Sequence, residues 1–194
     1  AAQAFFGFEP LPVVGVQVAQ AMSRLKAFAR QQALLRADGW EIVHVEEEGM
    51  DAMVEVEWVV DDHPFTIRGK IDRIDRHAES GAVRIIDYKT GDKGVDVRKL
   101  KDEQGQWTDL QLPLYRHLAA RLGFEGPFEV AYFVLPQKTE QTGVLPVPCD
   151  DESLQQADEL ASEIIRKIRR REFWPPTEPL PPYSQDWKDL IVPA

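Results

Sequence analysis

Cysteine is almost absent from these 194 residues: Cys149 stands alone. An internal disulfide is excluded, and so are a thiolate-rich zinc site and an iron–sulfur cluster. Histidine is sparse, and His44, His63, His77 and His117 are scattered without zinc-ligand spacing. No apolar run approaches the roughly 20 residues that span a bilayer. Ala1 to Phe8 lack the basic start and small-residue cleavage pattern of a secretory signal. A cytoplasmic chain with no membrane partner is the expectation. Positive charge is also short: 23 Lys and Arg face 33 Asp and Glu, a formal net charge of −10. That deficit argues against gripping a nucleic-acid backbone, which is mostly an electrostatic task. The argument weakens if clustered carboxylates are metal ligands or if a basic surface lies on another domain. Internal repeats, low-complexity tracts, a Gly-x-Ser-x-Gly elbow, a phosphate loop and a dinucleotide fingerprint are missing as well.

What is there is enough chain for one domain with a real core. Residues 1–14 read as an irregular leader or the remnant of an upstream region. Residues 15–172 form the domain, and 173–194 a proline-rich tail, with Trp187 and Leu190, that packs on or beside it. Val18, Met22, Leu25, Phe28 and Leu35 recur at helical spacing from Gly15 to Ala37, before Asp38-Gly39. The period then shortens to about two over 41–47, 53–60 and 64–76, which predicts successive antiparallel strands. A further strand spans Ala82 to Lys89, and Thr108 to Leu122 reads as a helix that tolerates Pro113 only near its first turn. An apolar strand, Phe128 to Leu135, precedes a last helix from Asp151 to Arg171. Leu154, Leu160, Ile164, Ile165 and Ile168 are its expected core stripe, and its acidic start and basic end suit the helix dipole. The fold class is α/β, built around a mixed sheet.

Chemistry concentrates in two strands. Alternation places Asp72 with Lys70 and Ile74 on one face of the first, and Ile85, Asp87 and Lys89 on one face of the second. If the strands pair across the Gly81 turn, Asp72 and Asp87 converge on one cation with Lys89 alongside. A hard cation such as Mg²⁺ binds oxygens at about 2.0–2.1 Å and keeps waters, leaving positions for a phosphate and an attacking water. The lysine can orient that water and offset charge building on the phosphate. Charged residues on strands are usually plain solvated surface. Here Ile85-Ile86 run straight into Asp87, so the charge sits at the end of a strand that reads as buried, where an unpaired charge is costly. Gln111 and Tyr115, four apart, share a helix face from which an amide and a phenol can brace the site or meet a DNA backbone.

Gly69-Lys70-Ile71-Asp72-Arg73-Ile74-Asp75, Ile86-Asp87-Tyr88-Lys89-Thr90-Gly91 and Gln111-Leu112-Pro113-Leu114-Tyr115 resemble, in order and spacing, the motifs of the RecB-like branch of the PD-(D/E)XK nuclease superfamily. The resemblance covers roughly Gly39 to Leu135. It implies a restriction-endonuclease-like mixed sheet flanked by helices and DNA phosphodiester hydrolysis, by exonuclease rather than endonuclease action, in repair or recombination. It implies Mg²⁺ or Mn²⁺ on Asp72 and Asp87, with the Tyr88 backbone carbonyl as a further candidate ligand. Catalysis would rest on Asp72, Asp87 and Lys89, with Gln111, Tyr115 and Arg73 supporting or contacting DNA.

Two departures stand out. The family's upstream His or Glu has no match. Either it lies before Ala1 in a larger helicase–nuclease-like protein, the preferred reading, or Glu46, Glu47 or Glu48 replaces it. Of the three, Glu47 shares a face with Val43 and Val45. The isolated chain is then expected to cleave weakly or not at all, and the alternative function is an inactive, nuclease-derived DNA-binding or scaffolding domain. The second departure is that no cysteines follow Phe173-Trp174-Pro175-Pro176, so the iron–sulfur cluster of some relatives is not expected. Arg166, Lys167, Arg169, Arg170 and Arg171 form the one basic run, read first as a dipole-complementing helix end and second as a DNA contact.

Overall fold

A computed structural model describes residues 11–46 and 53–173 of the chain. The first helix, α1 (Pro12–Ala37), starts three residues before the expected Gly15 because Pro12 occupies its first turn, where a missing N–H breaks no hydrogen bond. It ends at Asp38, and Gly39 supplies the positive φ of +94° that turns the chain into the sheet. The expected inward stripe holds only toward its C-terminal end. Phe28 and Leu35 pack on the sheet, whereas Met22 and Leu25 are 51% and 56% exposed.

Two sheets follow. Strands β1 (Trp40–Val45), β4 (Arg73–His77), β5 (Val83–Lys89), β6 (Phe128–Val134) and β7 (Gly143–Pro146) form a five-stranded mixed sheet in the order β1-β4-β5-β6-β7. Only β5 and β6 run parallel. Strands β2 (Val54–Val60) and β3 (His63–Gly69) pair separately as a hairpin. The single strand expected over 64–76 is thus two, divided at Lys70, Ile71 and Asp72. Ile71 and Ile74 both enter the same core, and residues three apart cannot do so on one regular strand. That bend delivers the chain from the hairpin to the main sheet. The four-residue β7, ending in a proline, was too short to announce itself by alternation.

Helices α2 (Gln111–Arg121) and α3 (Asp151–Arg170) cover one face of the sheet and α1 the other. Ile85, Tyr132 and Val134 face Leu112, Leu118 and Ala157, while Ile86, Ala131 and Phe133 face Phe28 and Leu35. Helix α2 starts at Gln111, later than expected, which puts Pro113 inside the first turn. Helix α3 is capped by Asp150, whose carboxylate accepts the Ser153 N–H at 2.9 Å. Of the expected stripe, Ile165 is buried and Leu160 packs partly against the core, while Ile164 and Ile168 are exposed; the rest of the buried line is Ser153, Ala157 and Ala161. Small side chains on that line let the helix backbone approach closely. No described helix is long and apolar enough to cross a membrane.

Candidate active site

The site forms where β5 outruns β4. Their ladder ends at the Arg73–Ile86 pair, and β5 continues to Lys89. Strand alternation turns Asp87 and Lys89 toward α2, as expected, and Tyr88 toward α1, where it meets Phe28 and Phe133. Asp87 is only 3% exposed. Its Oδ1 accepts the Gln111 Nε2–H at 2.9 Å, and its Oδ2 faces Lys89 Nζ at 2.7 Å. Lys89 Nζ also donates to Gln111 Oε1 at 3.3 Å, and Gln111 Nε2 donates to the Tyr115 hydroxyl at 2.7 Å. One amide at the start of α2 therefore ties carboxylate, ammonium and phenol into a single network.

Asp72 lies at the bend before β4. Its Oδ2 accepts the Tyr88 N–H at 2.8 Å, which fixes it against the residue between Asp87 and Lys89. The Asp72 carbonyl accepts the Glu46 N–H at 2.9 Å, and Glu46 pairs with Lys70 at 3.4 Å. Burial pushes the Asp87 carboxyl above the ordinary carboxylate range; Lys89 opposes that shift, and the charges of Asp72 and Asp109 reinforce it. Burial likewise raises Tyr115, against the Gln111 hydrogen bond and with help from the charges of Asp87, Asp72 and Glu46.

Could these groups hold a divalent cation? Among the described residues no three His, Cys, Asp or Glu side chains gather into a ready-made cage. Mg²⁺ does not require one, since it commonly takes one or two carboxylates and fills the rest of its shell with water and phosphate. Asp87 Oδ2 is buried and makes no hydrogen bond of acceptable geometry, despite its ion pair with Lys89. A lone pair left open on a buried carboxylate, with a second carboxylate coupled to it, is an all-oxygen donor set that fits a hard cation.

The remaining expectations divide. Arg73 does not contact solvent. It is 1% exposed, its guanidinium makes two 2.5 Å hydrogen bonds to Asp75, and it reaches Gln32 Oε1 at 2.5 Å and the Tyr88 hydroxyl at 3.3 Å. Its DNA-contacting role is corrected to a supporting one: it holds Tyr88 from within. Glu47 lies outside the described residues, and Glu46 is the acidic residue that the structure places beside Asp72. A bulge in β1 between Ile42 and His44 adds one residue and reverses the alternation through Val45. Most of the basic run is spent internally. Arg166 pairs with Asp61, Lys167 with Glu163 and Arg170 with Glu172, while Arg169 donates to the carbonyls of Val60, His63 and Pro64 in the β2–β3 hairpin. His77 bonds the Asp38 carbonyl and His117 bonds Asp158, so both serve as braces.

A mixed sheet between helices, with a buried Asp and a Lys two residues on at the tip of a central strand, is a restriction-endonuclease-like arrangement. The chain belongs to the PD-(D/E)XK nuclease superfamily, whose family model matches residues 8–179. It is a superfamily of nucleases, which generally use divalent metals such as Mg²⁺. Among solved structures, the crystal structure of SSO0001 is similar at 16% identity and a TM-score of 0.35, over 75% of this chain and 59% of that one. The chain thus spans less than two thirds of that structure's length. No curated protein matches.

Proposed function

We propose that this chain is a Mg²⁺- or Mn²⁺-dependent deoxyribonuclease of the RecB-like branch, an exonuclease serving DNA repair or recombination in the cytoplasm. Its other partners are the further domains of a helicase–nuclease-like protein. The branch and its context are supported by the three consecutive motifs at 69–75, 86–91 and 111–115. The observation that carries the nuclease reading is the buried Asp87 held between Lys89 and Gln111.

Asp72 and Asp87 would hold the cation through their carboxylates. The Tyr88 carbonyl is a third candidate, since strand geometry turns it to the same side as the N–H that Asp72 accepts. When bound, the cation supplies charge neutralisation at the phosphate and a lowered pKa for water. The protein's own groups do the positioning. Lys89, about a third exposed, can donate both to the scissile phosphate and to the oxygen of the attacking water. Gln111 keeps the Asp87 carboxylate in plane and fixes the Tyr115 hydroxyl, which is free to donate to a phosphate oxygen of the DNA backbone.

The test is cleavage of single- and double-stranded DNA in Mg²⁺ or Mn²⁺, beside Asp87→Ala and Lys89→Ala. Each substitution is expected to slow metal-dependent cleavage by about a hundredfold or more; cleavage that both leave untouched rejects the site. The family's upstream His or Glu, unmatched in the sequence, supports a second reading, an inactive DNA-binding or scaffolding domain. DNA binding without cleavage, together with no Mn²⁺ binding by calorimetry, would select it.

A further inference from the structure

Among the described residues the tip of β5 has no neighbouring strand on its β4 side, yet its backbone groups there are occupied. The Tyr88 N–H goes to Asp72, and two residues on, the Thr90 carbonyl accepts from Arg24 Nη1 at 2.8 Å. The other arm of the same guanidinium pairs with Asp92. On the opposite side the strand is held conventionally, the Leu135 N–H donating to the Lys89 carbonyl at 2.9 Å. Arg24 belongs to α1, and its side chain is 18% exposed on a stretch of helix that is otherwise open to solvent. Between that stretch and the Thr90–Asp92 loop lies a recess of about 540 Å³, lined also by Gln17, Gln20 and Leu135. Open space rather than packed apolar surface separates helix and loop, so the guanidinium is the connection.

We propose that Arg24 is a positioning residue for the active site: its two-armed contact locks the peptide that follows Lys89 and thereby sets the direction in which the Lys89 ammonium meets Asp87 and Gln111. This rests on the nuclease reading given above. Arg24 reaches the strand from the α1 face, whereas Lys89 leaves it on the α2 face, so Arg24 acts through the backbone and does not touch the reacting phosphate. The task suits arginine. A planar fork satisfies a carbonyl and a carboxylate at once in a fixed orientation, which a single ammonium cannot do. Side chains from two distant elements, Asp72 at the bend and Arg24 on α1, do here what an adjacent strand would do elsewhere.

The test compares Arg24→Ala, Arg24→Lys and Asp92→Asn with Arg30→Ala on the exposed side of the same helix, measuring kcat, KM for DNA and the melting midpoint. Arg24→Ala is expected to lower kcat about tenfold with KM changed less than about twofold. Arg24→Lys and Asp92→Asn should fall between it and the wild type, and Arg30→Ala should match the wild type. An unchanged kcat overturns the proposal, as does a rise in KM alone, which would mark Arg24 as a DNA contact. Amide hydrogen exchange on the same proteins separates this idea from the nuclease reading. Arg24→Ala should speed exchange at Tyr88 and Leu135 while leaving the Val130 and Ala131 amides of β6 unaltered. Unaltered protection at Tyr88 and Leu135 rejects the positioning role even if the chain cleaves DNA; faster exchange there in a chain that cleaves nothing keeps the positioning and rejects the nuclease.

Discussion

Asp87 sits in a place that disfavours its charge, and that tension is testable. Its carboxyl is raised by burial, with Lys89 opposing. A carboxyl whose pKa is higher folded than unfolded contributes stability below the ordinary carboxylate range and loses it as pH rises through the folded value. Asp87→Asn should therefore melt higher than the wild type near neutral pH, and the gap should close on acidification, as thermal melts across a pH series would reveal. The same raised pKa places the acidic limb of the cleavage profile above the ordinary carboxylate range, because cation binding needs the ionised form. Gln111→Leu should reduce cleavage by about ten- to a hundredfold, by freeing Asp87 and Tyr115 together. That Asp87 and Lys89 share one face, and Gln111 and Tyr115 another, was legible in the sequence, because each pairing follows from a short spacing, two along a strand and four along a helix. Arg24 was not legible, since its partners lie 66 and 68 residues away and only the fold brings them together.

Among the elements, the hairpin and α3 show how a misleading pattern arises. Five basic residues at the end of a helix suggest a DNA-binding strip, but Arg169 caps the hairpin's carbonyls and Arg166 holds Asp61, which itself sits at a positive φ of 52° in the turn. Arg169→Ala should then cost about 1–2 kcal/mol in denaturant unfolding, while the slope of DNA affinity against salt concentration stays as in the wild type; a slope smaller by about one would restore the DNA-contact reading. Gly69, at the end of β3, is a second pressure point. A Cβ there would stand 2.7 Å from Leu118 Cδ1, so Gly69→Ala must displace a buried side chain of α2, at a cost of about 1–3 kcal/mol. Strand content was readable from alternation. The break at 70–72 and the bulge in β1 were not, because each is a local departure from a period whose neighbours look regular.

At the scale of the whole molecule, the mixed α/β architecture followed from element order, whereas the parallel β5–β6 pairing came only with the structure. Which strands neighbour which did not follow from element order either, since β1 pairs with β4 across the intervening hairpin. Under the proposed function, a chain of net charge −10 would meet an anionic polymer through a few local cations and a bound metal. DNA affinity should therefore fall when EDTA removes the metal, measured by fluorescence anisotropy at fixed ionic strength. Arg73 and Asp75 carry one further consequence. Both are almost completely enclosed and each neutralises the other, so losing either alone strands a charge indoors at about 3–5 kcal/mol, a large part of a domain's stability. Evolution can then replace them only in concert, or with a compensating neighbour already in place, and distant descendants of this chain should carry both residues or neither.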